Sequence, residues 1–249
     1  MSDANNSKPR RLDVELVRRG LFSSRAQARA AIEAGKVLVD CKVAAKPGVA
    51  VRRDAAIIAE PAHPWVSRGG VKLAHALDVF GVSPEGRACL DVGASTGGFT
   101  DVLLSRGARQ VAAVDVGRDQ LHPKLRSDRR VLSLEGTDAR ELTAGLVGEP
   151  PTLVVCDASF IGLAKVLGGA LSLAAPNADL VALFKPQFEV GPAHVGKGGL
   201  ATDVEATEAA AKRTEDWLRS EGWAVIAWTP SPILGGDGNR ERLLHARKS

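Results

Sequence analysis

The run Ala88-Cys89-Leu90-Asp91-Val92-Gly93-Ala94-Ser95-Thr96-Gly97-Gly98-Phe99-Thr100-Asp101 decides the fold. A short apolar stretch ends in Asp91, a glycine turn follows, and Phe99 to Arg106 reads as a helix with apolar positions at Val102, Leu103 and Leu104. Glycines at 93, 97 and 98 let the chain turn tightly and keep side chains away from a ligand, while the helix N-terminus offers free N–H groups. The spacing Gly-x-x-x-Gly-Gly differs from the Gly-x-Gly-x-x-Gly of dinucleotide sites, and Asp91 sets a carboxylate where a pyrophosphate would be repelled. A ligand with an ammonium group, such as the methionine end of S-adenosylmethionine, suits this turn. A glycine turn that serves only packing is the alternative. The residues expected around the ligand are Asp91, Gly93, Ser95, Thr96, Gly97, Gly98 and Phe99.

Downstream, four more apolar runs read as strands that alternate with helices. Val111 to Asp115 ends in a carboxylate 24 residues beyond Asp91, near the spacing at which an acidic strand end grips ribose hydroxyls. Val131 to Leu134 follows, and after it Thr137 and Asp138 are polar residues at a strand end, a position suited to a ligand. Asp138 could equally cap a helix starting at Arg140. Leu153 to Asp157 ends in another carboxylate and Leu180 to Pro186 carries Lys185 near its end. Ligand-type residues at successive strand ends place a site along one edge of a parallel sheet. Gln187 to Asp203 is a glycine-rich loop, either a substrate cover or a plain surface loop, and Glu205 to Ser220 reads as a helix. Trp223 to Trp228 and Arg240 to Ala246 are the last strands, joined by the Gly- and Pro-rich stretch Pro230 to Asn239.

The 249 residues suffice for one large and one small domain, and 45% hydrophobic with 25% charged residues is ordinary for a folded globular chain. No apolar run approaches the roughly 20 residues of a membrane span, and Met1 to Arg11 has no signal-peptide core, so a cytoplasmic protein is expected. Cys41, Cys89 and Cys156 lack metal-ligand spacing, which leaves no metal site in the expectation. The net charge of +4 is unevenly spread. Residues 1–60 hold 12 Lys/Arg against 7 Asp/Glu, and the rest of the chain is nearly balanced. Clustered basic charge suits a polyanion partner or a merely solvated basic face.

Residues 1–10 read as a disordered tail. A short helix from Leu12 to Gly20 is followed by a second over Arg25 to Ala34, capped by Ser23 or Ser24. Val37 to Val39, Val49 to Val51 and Ile57-Ile58 have the β-branched character of short strands. Arg25 and Arg29 share a helix face and, with Arg18, Arg19 and Lys36, are placed to meet phosphates. The run Arg11-Leu12-Asp13-x-x-Leu16-Val17-x-Arg19-Gly20-Leu21-x-Ser23-Ser24-Arg25 through Val37-x-Val39 resembles the small RNA-binding domain of small-subunit ribosomal protein S-four, over about residues 11–58. That likeness departs at Asp40-Cys41-Lys42, where such domains have a glycine in the turn, so this turn must be made without one.

Glu60-Pro61-Ala62-His63-Pro64 lies in a proline-stiffened linker over 59–66, and Val71 to Val79 reads as a helix with Lys72 in its first turn. Lys72, Asp157, Lys185 and Glu241 resemble, in chain order, the Lys-Asp-Lys-Glu set of FtsJ-like ribose 2′-O-methyltransferases. Val66-Ser67-Arg68-Gly69-Gly70-x-Lys72, Asp157-x-Ser159-Phe160-Ile161, Lys185-Pro186-Gln187-Phe188-Glu189-Val190-Gly191 and Gly238-Asn239-x-Glu241 extend the resemblance to the TlyA family.

That resemblance implies a class I, Rossmann-like α/β methyltransferase with a mostly parallel seven-stranded sheet over 67–249, preceded by the small α+β RNA-binding domain. It implies S-adenosylmethionine as cofactor, with Asp115 and Asp138 joining its binding set, and ribosomal RNA or a ribosomal subunit as partner. Arg11 and Arg68 are added to the RNA-binding residues. Lys185 is expected either to activate the 2′-hydroxyl electrostatically or, if neutral, to take its proton. Asp157 and Glu241 would orient the two lysines. The family also carries an old hemolysin label, so a membrane-active protein is one rival reading and a non-catalytic ribosome-assembly factor is another. The sequence has no apolar segment suited to membrane insertion, and both Lys185 and Asp157 are present.

Overall fold

Runs of Val, Leu and Ala bounded by Gly and Pro build the larger sheet, and a computed structural model of the chain describes residues 9–22 and 24–249. It divides into two compact units, the first ending at Pro64 and the second spanning Trp65–Ser249.

In the first unit, β1 (Arg10–Arg11) leads into α1 (Leu12–Arg18) and α2 (Arg25–Glu33), followed by β2 (Val37–Val39), β3 (Lys42–Val43), β4 (Ala50–Val51) and β5 (Ile57–Ala59). Ser24 caps α2 by accepting from Gln27 N at 3.3 Å; the alternative cap Ser23 and residues 1–8 of the expected tail lie outside the described residues. Arg10, expected in that tail, is paired in a strand. The two valine-rich strands enter different sheets: β2 lies between β3 and β5, whereas β4 pairs antiparallel with β1. The turn from β2 to β3 is made by Asp40 and Cys41 at φ 48° and 64°, the left-handed conformation that glycine would have supplied. Asp40 steadies it by accepting from Ala56 N at 2.9 Å. Leu12, Leu16, Ala28, Ala31, Ile32 and Val37 form the core of this unit.

The second unit begins with α3 (Gly69–Phe80), which ends at Gly81 in the left-handed conformation, φ 66°. Then come β6 (Ala88–Val92), α4 (Gly98–Ser105), β7 (Gln110–Asp115), α5 (Pro123–Arg126), β8 (Val131–Glu135), α6 (Ala144–Val147) and β9 (Leu153–Cys156). The chain continues through α7 (Leu163–Val166), α8 (Gly168–Ser172), β10 (Asp179–Phe184), α9 (Pro186–Glu189), α10 (Val204–Ser220), β11 (Trp223–Pro230) and β12 (Arg242–Lys248).

The seven strands are ordered β11-β12-β10-β9-β6-β7-β8. Strands β6 to β10 pair parallel, and β12 is antiparallel to both of its neighbours. Successive residues of the central strands feed opposite cores. Val154 and Cys156 of β9 pack with α7, α8 and α10, while Leu153 and Val155 pack with α3 and α4. Burial on both faces explains why these strands read as unbroken apolar runs. The order reverses between β6 and β9, and in such sheets the ligand crevice lies beyond the carboxyl ends at that point. Among the described residues no helix is long and apolar enough to cross a membrane.

Candidate active site

The switch point places the ends of β6, β7 and β9 around a cavity of about 450 Å³, lined by Gly93, Ser95, Asp115, Val116, Gln120, Thr137, Asp138, Asp157, Ser159, Phe160 and Ile161, among others. That volume falls in the range of roughly 300–1,000 Å³ typical of small-molecule sites. Of the expected cofactor residues, Gly93, Ser95, Asp115 and Asp138 line it. Gly93 needs its glycine: at φ 79° a Cβ would sit 2.8 Å from the Ala158 backbone. Gly97 and Gly98 face the protein itself, since a Cβ would overlap Leu125 and Leu121 at the first and Ser67 Oγ at the second. Phe99 is buried in the core and Thr96 is exposed. The packing role weighed for the glycine turn therefore applies to its second half.

Asp91 is fully buried at the end of β6. Oδ2 accepts from Thr100 Oγ1 at 2.6 Å, and Oδ1 has no hydrogen-bond partner. Burial pushes its carboxyl up to about 7; the Thr100 bond opposes that rise, and the Asp157 and Asp115 charges reinforce it. An orphaned buried carboxylate oxygen is costly unless a donor reaches it, and a ligand ammonium is the donor this chemistry asks for. Asp115 is held by two backbone amides, Ser95 N at 2.8 Å and Gly117 N at 2.7 Å, which orients it at the cavity wall. Asp138 caps the 3-10 turn over Ala139–Glu141 by accepting from Arg140 N at 2.9 Å while also lining the cavity.

Lys72, Asp157, Lys185 and Glu241 form two ion pairs, with Asp157 itself at the cavity wall. Lys185, one residue past β10, places Nζ 2.8 Å from Asp157 Oδ1, 2.8 Å from Ser159 Oγ and 3.1 Å from the Asp157 carbonyl. Lys72, on the first turn of α3, bonds Glu241 immediately before β12. Both lysines are only 8% exposed. The pairs meet along α3, because a Cβ on Gly69 would lie 3.1 Å from Asp157 Oδ2, and Lys72 follows Gly69 by three residues. Glu241 is framed in turn: a Cβ at Gly235 would lie 2.6 Å from Oε1. Asn239, 2% exposed, donates to Gly199 O and accepts from Ala201 N, both at 2.9 Å, and so clamps the loop before α10 to the loop before β12.

Sequence reasoning placed Phe160 in the motif Asp157-x-Ser159-Phe160-Ile161 but gave it no role. It is 91% exposed, holds φ 67°, and its ring lies 5.3 Å from that of Phe188. A non-glycine residue in that conformation with its ring in solvent is uncommon. Its signal in the sequence is that motif, an aromatic three residues past a strand-end aspartate.

The expected RNA-binding residues separate by their partners. Arg11 and Arg25 both bond Asp13, and Arg18 and Arg19 both bond Glu15. Arg19 additionally donates to the carbonyls of Ala55 at 2.8 Å and Arg53 at 2.7 Å, which makes it a strut inside the unit. Lys36 lies 3.6 Å from Glu60, and Arg29 is exposed. Arg68 of the second unit donates to Leu234 O at 2.7 Å, tying the start of α3 to the loop before β12.

This sheet order, with acidic strand ends around a small-molecule cavity and a lysine beside it, defines a class I methyltransferase. Residues 65–248 match the FtsJ-like methyltransferase family and residues 10–57 match the S4 domain. A Mycobacterium tuberculosis protein named 16S/23S rRNA (cytidine-2′-O)-methyltransferase TlyA is 47% identical over 239 residues, covering 95% of this chain and 89% of that protein. Hemolysin A of Brachyspira hyodysenteriae is 38% identical over 237 residues, 94% of this chain and 98% of its own. A solved structure from Streptococcus thermophilus that carries a hemolysin label aligns with a TM-score of 0.76 at 38% identity, over 98% of this chain and 90% of that one. The chain belongs to the TlyA family of FtsJ-like methyltransferases.

Proposed function

We propose that the chain transfers a methyl group from S-adenosylmethionine to a ribose 2′-hydroxyl of ribosomal RNA. The observation that carries this reading is the Lys185–Asp157 pair set against the cavity at the β6/β9 switch point, with the Lys72–Glu241 pair beside it on α3. S-adenosylmethionine supplies an electrophilic methyl on a sulfonium. Asp91 would meet its ammonium and Asp115 its ribose hydroxyls, with Gly93 and Ser95 shaping the wall between.

A 2′-hydroxyl is a weak nucleophile near neutral pH, so the protein must align it and stabilise charge as its proton passes to solvent water and the sulfonium is released as the neutral thioether. Lys185 Nζ donates to Ser159 Oγ and to the Asp157 carbonyl, and stands 2.8 Å from the Asp157 carboxylate. Beside that carboxylate Lys185 serves as a cation that steadies the developing oxyanion, with the donor now on Ser159 turned to the substrate oxygen. Asp157 fixes the ammonium in place, and Glu241 holds Lys72 at the adjoining turn of α3. Phe160 offers a stacking face to a base turned out of its helix, which exposes the ribose for in-line attack. The S4 unit supplies basic charge for docking on structured RNA.

The test incubates the chain with methyl-labelled S-adenosylmethionine and separated ribosomal subunits or their naked RNA. Label in RNA supports the reading. Tight cofactor binding with no label in any of these substrates would overturn it.

A further inference from the structure

The first turn of the chain's small unit contains two carboxylates that no surface reading predicts. On α1, Leu12 and Leu16 define the buried stripe, and at about 100° per residue Asp13 and Glu15 fall at its two edges, roughly 80° to either side. Both side chains are fully buried. A buried carboxylate is tolerated only when paired, and each of these is paired twice. Arg11 forks onto Asp13 through Nε at 3.0 Å and Nη2 at 3.1 Å, and Arg25 reaches Oδ2 at 2.9 Å from α2. Arg18 forks onto Glu15 at 2.9 and 2.6 Å, and Arg19 reaches Oε1 at 3.0 Å. Their arginine partners hold both carboxyls at about 2, so they stay ionised across the physiological range.

Each cluster therefore carries one negative and two positive charges. The arginine side chains are not equally available: Arg11, Arg18 and Arg25 are about half exposed, while Arg19 is only 22% exposed and engaged with two carbonyls. Arg11 and Arg18 each spend two of their five N–H groups on the carboxylate, and the rest remain for an outside acceptor. A free surface arginine must lose rotamer entropy when it grips a phosphate; one already forked onto a buried carboxylate has lost it in folding.

Resting on the reading of the chain as an RNA methyltransferase, we propose that Asp13 and Glu15 are positioning residues: Asp13 pre-orders Arg11 and Arg25 at one edge of α1 and Glu15 pre-orders Arg18 at the other, each as a fixed phosphate contact on the surface of this unit. Arg19 belongs to the frame of that surface rather than to its contacts. The proposal opposes simple charge counting. Removing either carboxylate makes the unit more positive and, by charge alone, a better polyanion binder. Pre-ordering requires the opposite.

The experiment measures binding of the full-length chain to naked ribosomal RNA and to polyuridylate across salt, for wild type, Asp13→Asn, Glu15→Gln and Arg25→Lys. Arg25→Lys keeps the charge, leaves Asp13 paired with Arg11 and alters an exposed residue, so it does not depend on surviving the loss of a buried carboxylate. The expected result is an affinity for ribosomal RNA about tenfold weaker in all three variants, with cofactor affinity unchanged and binding to polyuridylate affected less. Equal or tighter ribosomal RNA binding by Arg25→Lys and by the carboxylate variants that remain folded would overturn the proposal. A wild-type chain that binds neither RNA would instead sink the functional reading beneath it.

Discussion

Lys185 Nζ stands 2.8 Å from Asp157 Oδ1, so the residue just past β10 is fastened to the residue just past its neighbour β9. Two parallel strands thereby deliver opposite charges to one point beyond the sheet edge. Lys185→Met, which keeps most of the side-chain volume, is expected to lower kcat by about 10²–10⁴-fold while leaving cofactor affinity within about twofold. Single-turnover methyl transfer beside calorimetric cofactor binding checks the split.

Asp91 gives the cofactor step a pH dependence. Its carboxyl sits at about 7 because it is buried, and ammonium binding requires the ionised form. Cofactor affinity should therefore fall roughly tenfold between pH 8 and pH 6, and Asp91→Asn should bind weakly with a flat profile. Folding responds with the opposite sign. A raised native pKa means that the folded chain keeps a proton that the unfolded chain has released, so stability without cofactor declines as pH rises from about 4 through about 7. Asp91→Asn should lessen that decline, readable as the pH dependence of Tm.

Phe160 separates stability from function. Replacing it with Gly relieves a positive φ and removes an exposed ring, so Phe160→Gly should be as stable as the parent or slightly more so. Its kcat/KM toward RNA should nevertheless fall by the worth of one stacked base, about 1–3 kcal/mol or roughly 5- to 150-fold. Phe160→Tyr keeps the stacking face and should retain most activity. Steady-state kinetics and thermal unfolding on the same preparations provide the comparison.

At the other end of β10, Asp179 is buried and holds His245 at 2.9 Å, Arg87 at 2.8 Å and Arg247 at 3.0 Å. Those partners, led by the His245 hydrogen bond, overcome the burial penalty and hold its carboxyl well below the usual range. The stability it confers is present above about pH 4 and is lost as pH falls below it. Asp179→Ala leaves the largely buried His245 and Arg87 without their anion, while the half-exposed Arg247 can turn to solvent, and should cost about 3 kcal/mol. Lys185 lies six positions further along the chain, about 20 Å away, so the folded variant should keep parental kcat. Urea unfolding and initial rates test the two halves.

The larger sheet is legible in the sequence because its central strands β6, β7, β9 and β10 are buried on both faces and end at or beside a charged residue. Asp91, Asp115, Asp157 and Lys185 stand at the ends of uninterrupted apolar runs, and alternation with helices implies parallel pairing. The small unit is less transparent. Nothing in Arg10-Arg11 suggests a strand, because β1 exists only through its pairing with β4. Asp13 and Glu15 look like surface charges on a short helix, and only the arginines brought in by the fold make their burial possible. The expectation that all the arginines face phosphates likewise ignores carbonyl acceptors distant in sequence, which is where Arg19 goes. Phe160 is legible only as a motif position: its backbone angle and its exposure leave no sequence pattern.

The measurement that bears most directly on the central claim is nucleoside mass spectrometry of ribosomal RNA after reaction with unlabelled and deuteriomethyl S-adenosylmethionine, using wild type and Lys185→Met. The account predicts a mass shift carried by the ribose of a single nucleoside, present with wild type and absent or greatly slowed with the variant. A methyl found on a base, or ribose methylation undiminished in Lys185→Met, would contradict it.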